Sequence, residues 1–188
     1  SSSPRRHDLL TRLQAPFDII PPNVDESTIE SEGIPEQYCT TLAELKANDI
    51  SLQYPNDMVI GADTIVVLSG QIMEKPYDTN QAQNMLQTLS GKTHQVYTGI
   101  CLKWTEKNIH HLFVEITSVT FRNLDPLDIS YYIENCLPYD KAGSYGIQDW
   151  SSVFVEEING CYDNVMGFPI SRFYQELKKL GINLLDTI

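Results

Sequence analysis

The sequence predicts an α/β protein with a mixed sheet, helices packed around it and a cleft between two lobes. Three observations carry this. Strand and helix patterns alternate through the first half of the chain. Two long β-rich runs, 93–104 and 109–121, flank Glu106-Lys107-Asn108 and read as one antiparallel hairpin. The run Gly61-Ala62-Asp63-Thr64-Ile65-Val66-Val67-Leu68 reads as a buried strand with a carboxylate near its start.

Taken in order, the chain opens with Ser3 and Pro4, a good N-cap and first helical residue, before a Leu9, Leu10 and Leu13 stripe that predicts a helix over 4–13. Arg5 and Arg6 lie in its first turn, where cations oppose the helix dipole. They are either an exposed basic turn or part of a phosphate cradle built with helix N–H groups and serine hydroxyls. Phe17 to Ile20 reads as a short strand closed by Pro21-Pro22, and Asp25-Glu26 as a polar loop. Pro35 opens a second helix in which Tyr38, Leu42 and Leu45 share a face and Lys46 lies in the last turn.

After Met58, Val59 and Ile60, small residues Gly61 and Ala62 permit close approach, and Asp63 follows. Asp63 is either a turn cap or a functional carboxylate. Ser69-Gly70 turns the chain back to deliver Lys75 near the same rim. Asp78 and Gln81 form a capping-box pattern for a helix through Leu89, ended at Ser90-Gly91. His94, His110 and His111 fall at the hairpin ends and read as surface residues. Asp125-Pro126 starts a helix with Ile129, Tyr132, Ile133 and Cys136 inward. Residues 140–148 hold Lys141, Gly143, Gly146 and Gln148, either a binding loop or a plain turn. Val153 to Ile158 reads as a strand and Asn159-Gly160 as a hairpin turn. Gly167-Phe168-Pro169 leads into a last helix carrying Ile170, Phe173, Leu177 and Leu180, stopped by Gly181.

The chain of 188 residues suits one domain, or two lobes sharing one core. A net charge of −12 argues against nucleic-acid polymers, though not against a small anion held by local cations. Cys39, Cys101, Cys136 and Cys161 have no metal spacing and read as reduced thiols. No apolar run approaches the ~18 residues of a spanning helix and no signal peptide is read, so the expected location is cytoplasmic with no membrane partner. Walker A and GxGxxG loops are absent. The remaining set, Arg5, Arg6, Lys75 and Lys141 with Asp63 and Glu26, suits hydrolysis of a phosphoanhydride assisted by a divalent cation.

Several ordered motifs resemble one family. They are Ser-x-Ser-Pro-Arg-Arg at 1–6, Asp25-Glu26, Lys46-Ala47, Gly61-Ala62-Asp63-Thr64, Lys75-Pro76 and Met85-Leu86-x-x-Leu89-Ser90-Gly91. His94-x-Val96-x-Thr98, Lys141-Ala142-Gly143-x-Tyr145-Gly146-Ile147-Gln148 and Asn164-Val165-x-Gly167-x-Pro169 complete the set. Together they resemble the Maf family of nucleoside triphosphate pyrophosphatases, over nearly the whole chain. The resemblance implies a Maf/Ham1 (inosine triphosphatase-like) fold, here a single domain of two lobes over 1–188. It implies cleavage of a nucleoside triphosphate to the monophosphate and pyrophosphate with a divalent cation, Mg²⁺ or Mn²⁺. Asp63 matches the proposed general base. Arg5, Thr64 and Gln148 match positions tied to base choice in the dTTP/UTP branch. Ser1, Ser3, Arg6, Glu26, Lys46 and Lys75 match other cleft positions, as phosphate or metal contacts, with Glu26 and Asp63 as the expected metal ligands and Lys141 as a further substrate contact. The expected role is house-cleaning of nucleotide pools, modified pyrimidines included, with a homodimer as candidate assembly. The alternative is a nucleotide-sensing or division-inhibiting protein using the same cleft. The family carries an apolar strand ahead of its first serine, and this sequence starts at that serine.

Overall fold

A computed structural model describes residues 3–29 and 33–187. Its helices are α1 (Pro4–Thr11), α2 (Pro35–Ser51), α3 (Thr79–Leu89), α4 (Pro126–Cys136), α5 (Tyr162–Met166) and α6 (Ile170–Lys179). Strands β1 (Val59–Leu68), β2 (Gln71–Met73), β3 (Thr93–Trp104), β4 (Ile109–Phe121) and β5 (Val155–Asn159) form a sheet in the order β2-β1-β3-β4-β5. The architecture is mixed α/β, as expected. Two compact units are distinguished, one of Ser1–Asp63, Thr98–Glu115 and Gly167–Ile188, the other of Thr64–Tyr97 and Ile116–Met166.

In the first unit α2 is central. Pro35 at its first position and Glu36 in the first turn suit its N-terminus. Its buried residues are Cys39, Leu42, Ala43, Ala47 and Ile50. The expected face of Tyr38, Leu42 and Leu45 is therefore rotated, because small side chains rather than bulky ones meet the strands. A Cβ on Gly61 of β1 would collide with the Ala43 carbonyl oxygen and come within 2.9 Å of the Ala47 backbone nitrogen. A Cβ on Gly99 of β3 would lie 2.5 Å from the Cys39 carbonyl oxygen. Strand backbones thus rest directly on the helix. The helix also outruns expectation: it ends at Ser51, so Lys46 is interior and not in the last turn. No strand forms over 17–20; instead Ile20 packs on the cluster of Ala43, Ala47, Ile50, Val59 and Cys101, and Pro21-Pro22 has no N–H to pair.

On α6, Phe173 and Leu177 are buried, and Gly181 takes a φ of 72° just beyond its end. Glu176 is buried on the same helix and collects His111 at 2.9 Å, Arg172 at 2.6 Å and Lys179 at 2.8 Å. Burial works against the charge, but the bonds from Lys179, His111 and Arg172 hold Glu176 down at about 2.

The second unit contains the β1–β2 hairpin, paired Val66↔Met73 and Leu68↔Gln71 across Ser69 (φ 51°) and Gly70 (φ 83°). Two positive φ values are what a two-residue hairpin of this hand requires. The capping pattern before α3 is realised in its first half: Asp78 Oδ1 accepts from Gln81 N at 2.7 Å, while Gln81 Oε1 accepts from Tyr77 N, one residue ahead of the cap, at 2.8 Å. α4 buries Ile129, Tyr132 and Ile133 but leaves Cys136 half-buried. Trp150–Phe154 forms a 3₁₀ turn, so β5 starts two residues later than expected. Asn159-Gly160 makes no hairpin; it leads into α5, with Gly160 pressed so close to Thr117 that a Cβ would lie 2.9 Å from its Oγ1.

The surface reading of the histidines holds for exposed His110, only in part for half-buried His111, and fails for His94. His94 is 1% exposed, shares a 2.8 Å hydrogen bond with the Tyr145 hydroxyl and meets Phe121 edge-on. His111 binds Glu176, and His110 lies 2.9 Å from Glu44. Side chains at a strand end are covered when loop residues, here Tyr145, fold over them. Burial pulls the His94 imidazole down to about 4. The folded state therefore refuses a proton that the unfolded chain accepts below about 6.5. Stability contributed by the neutral ring is whole above about 6.5, falls as pH drops, and is gone near 4, a difference of about 3 kcal/mol. Urea unfolding at stepped pH across this window should show the loss in the parent and a flatter slope in His94→Gln.

Candidate active site

α1 begins at Pro4, with Ser3 at the N-cap position but without a side-chain bond to the helix. The hydroxyl therefore does not cap, contrary to expectation. Helix 4–13 also stops early, at Thr11. Arg5 and Arg6 are half-buried. Arg6 is aimed by a distant segment: its Nε donates to the Gly167 carbonyl at 2.8 Å. Gly167 adopts φ 109°, a conformation open to glycine. Ser1 lies outside the described residues.

Asp25 caps a short 3₁₀ turn, Glu26–Thr28, by accepting from Ser27 N at 3.0 Å. Asn23 N donates to Asp49 on α2 at 2.8 Å, which ties this segment to the helix. Glu26 Oε2 then lies 3.1 Å from Lys46 Nζ, and Asp63 Oδ1 lies 2.6 Å from the same nitrogen. Asp63 and Lys46 are 13% and 14% exposed in their side chains. Burial raises the Asp63 carboxyl above its usual range, while the charges of Lys46 and Arg6 and the Lys46 hydrogen bond oppose the rise. Burial likewise lowers the Arg6 guanidinium; Asp63 raises it, Arg5 lowers it and Glu26 raises it. The first unit thus gathers Arg6, Glu26, Lys46 and Asp63 into one electrostatic group. Beside Lys46 a small pocket is lined by Ile20, Pro22, Ile50, Ile60, Gly61 and Ala62.

The second unit holds Thr64, Lys75, Lys141 and Gln148. Thr64 is half-buried on β1, whereas Lys75 and Gln148 are exposed. The 141–148 loop is anchored next to Lys75: Gly143 N donates to the Glu74 carbonyl at 3.2 Å, and a Cβ on Gly143 would meet Val66 at 3.0 Å. Lys141 Nζ lies 2.8 Å from Asp140 Oδ1 and 3.9 Å from Asp149 Oδ2, so its charge is shared with its own loop. Gly146 lies against the Lys141 stem, and Tyr132 Oη braces the loop by accepting from Gly146 N and donating to Asp149 Oδ2, both at 3.2 Å.

What sequence reasoning missed is the pairing of Lys46 with Asp63 and Glu26, and the roles of Gly167 and Tyr132 as supports. Spacing gives no hint of the first, since 17 residues separate Lys46 from Asp63. No group of three or more His, Cys, Asp or Glu able to hold a metal occurs among the described residues. The two carboxylates around Lys46 nonetheless suit a cation such as Mg²⁺, which takes one or two carboxylates and fills its shell with phosphate oxygens and water.

Fold and site together describe an α/β protein with a buried carboxylate set among cations, a site class suited to phosphorylated anions. The chain belongs to the Maf-like protein family, whose model matches residues 1–180. It is similar to proteins named dTTP/UTP pyrophosphatase. That of Carboxydothermus hydrogenoformans is 41% identical over 181 residues, covering 96% of each chain. That of Ruminiclostridium cellulolyticum is 42% identical over 98% of this chain and 96% of its own. That of Bacillus cereus is 43% identical over 98% of this chain and 95% of its own.

Gly61→Ala tests the packing that brings Asp63 and Lys46 together. The added methyl meets the Ala43 carbonyl and the α2 backbone, neither of which can rotate away. A loss of about 1–3 kcal/mol by chemical denaturation is expected, together with weaker binding of a triphosphate by calorimetry.

Proposed function

We propose that this protein is a nucleoside triphosphate pyrophosphatase that converts dTTP and UTP, and modified pyrimidine nucleotides, to the monophosphate and pyrophosphate. The observation that carries the mechanism is a single one: Asp63 is nearly buried, with Lys46 bonded to it and Arg6 acting on it electrostatically. The relatives named dTTP/UTP pyrophosphatase supply the substrate class.

The reaction is attack of water on the α-phosphorus, with pyrophosphate leaving. Asp63 is assigned as the base that takes the water proton. A carboxylate raised by burial is a better proton acceptor than an exposed one, so the desolvation that costs stability serves the chemistry. Arg5, Arg6 and Lys46 are assigned to the phosphates as charge-assisted donors, with Ser1 and Ser3 beside them, and Lys75 and Lys141 as further phosphate contacts. Thr64 and Gln148 are assigned to the base; an amide offers both a donor and an acceptor, matching the imide edge of uracil or thymine. A divalent cation held by Glu26 and Asp63 would neutralise charge developing on the phosphate oxygens. The reading puts the protein in the cytoplasm, guarding nucleotide pools. Among the described residues no helix is long and apolar enough to cross a membrane.

Incubating the protein with dTTP or UTP and Mg²⁺ or Mn²⁺ should release monophosphate and pyrophosphate. Diphosphate with orthophosphate would overturn the reaction assignment. Binding without turnover would favour the sensing role, and preference for a 7-methylated guanine nucleotide would move the protein to another branch.

Asp63→Asn should fold, retain some nucleotide binding and lose turnover by at least ~10². Near-parental turnover with a lowered Tm would make Asp63 structural. Arg5→Ala and Lys75→Ala should each weaken a non-hydrolysable triphosphate by roughly 1.5–3 kcal/mol, read by calorimetry; unchanged affinity in both would remove them from the phosphate site.

A further inference from the structure

Glu26 and Asp63 come from segments 37 residues apart, and what draws them together is the ammonium of Lys46, 3.1 Å from one and 2.6 Å from the other. A divalent cation held by Glu26 and Asp63 would need the same two carboxylates. Lys46 is 14% exposed and Asp63 13%, so water screens this pair little. A cation arriving alone must either expel the ammonium or sit against it, and both are unfavourable. The unit as a whole is acidic, but the charges that act on Asp63 and Arg6 are Arg5, Arg6 and Lys46 against Glu26 and Asp63, a local positive excess that a lone divalent ion would enlarge. A triphosphate reverses the sign. Its oxygens are strong acceptors for an ammonium and give Lys46 another partner.

We propose that Lys46 is a substrate-displaced counter-ion. In the free protein it occupies the carboxylates of Glu26 and Asp63 and keeps divalent cations out. When a nucleoside triphosphate binds, the ammonium transfers to the phosphate oxygens, and both carboxylates become available together, one of them the base. The divalent cation therefore enters with the nucleotide and not before it. This rests on the pyrophosphatase reading, and deepens it by assigning the order of binding to one side chain. No bond is made or broken in the exchange; one ion pair is traded for another.

The test is Mn²⁺ binding to nucleotide-free protein, followed by the electron paramagnetic resonance signal of the free ion. The parent should bind weakly. Lys46→Met should bind at least ~10-fold more tightly, and Asp63→Asn added to it should remove the gain, locating the ion at the carboxylates. Lys46→Arg, which keeps the charge, should remain weak. A Lys46→Met protein of parental Tm that binds Mn²⁺ no better than the parent overturns the proposal. So does a parent that already binds as tightly as Lys46→Met. Should Lys46→Met not fold, Glu26→Gln and Asp63→Asn in the otherwise unchanged chain decide the matter. If Lys46 masks these groups, neither variant alters the weak Mn²⁺ binding. If either lowers it ~10-fold or more, the carboxylates were open to the metal and the proposal falls. Pyrophosphate release by the parent is measured separately, so failure of the activity and failure of this ordering give different results.

Discussion

The approach of Gly61 to the backbone of α2 is the constraint on which the site depends. Without a Cβ at 61, β1 rests on Ala43 and Ala47, and helix and strand are locked in one register. Lys46 lies one turn along the helix from Ala43, and Asp63 two residues along the strand from Gly61, on the same side of the pleat. Their 2.6 Å ion pair follows from that register. Gly99 on β3 repeats the device against Cys39, so the helix is seated on bare backbone at two places. Glu26 is joined to this frame by Lys46 itself and by the Asn23–Asp49 bond of its own segment, and Arg6 is aimed by Gly167.

Two opposing electrostatic effects meet at Asp63. Desolvation disfavours its charged form, and Lys46 and Arg6 favour it; desolvation is the larger. Glu176 shows the other outcome. It too is buried, but three donors converge on it and its carboxyl falls to about 2. The contrast separates a carboxylate that fastens a helix from one kept under-compensated. A saturated carboxylate makes a poor proton acceptor; one with fewer partners keeps its affinity for a proton.

Much of the fold was legible because its signals are local. Ser69-Gly70, Asp78 with Gln81, and proline at the first turn of α1, α2 and α4 each act over a few residues, and the two long alternating runs match β3 and β4 in full. The failures share a cause. Tyr38 and Leu45 offer more side chain to bury than Cys39, Ala43 and Ala47, yet close packing selects the smaller set. Asn159-Gly160 carries a hairpin dipeptide, but no strand waits beyond it. His94 looked exposed because nothing near it in sequence reveals that Tyr145 will cover it. At the site, residue types were readable and partnerships were not. Lys46 looked self-sufficient as a helix-end cation, and the carboxylates it joins are supplied by other elements.

The four thiols divide along the same line as the chain. Cys39 and Cys101 belong to the first unit, are buried, and are pushed up to about 12 by desolvation, which keeps them protonated and unreactive. Cys136 and Cys161 belong to the second unit and are partly open to solvent. A maleimide dye or spin label added to the folded protein therefore decorates the unit that carries Lys75 and Gln148, and leaves the packed interior of α2 untouched. The wild-type chain comes with spectroscopic attachment points already sorted by unit, and with no need to remove a cysteine from beside Asp63.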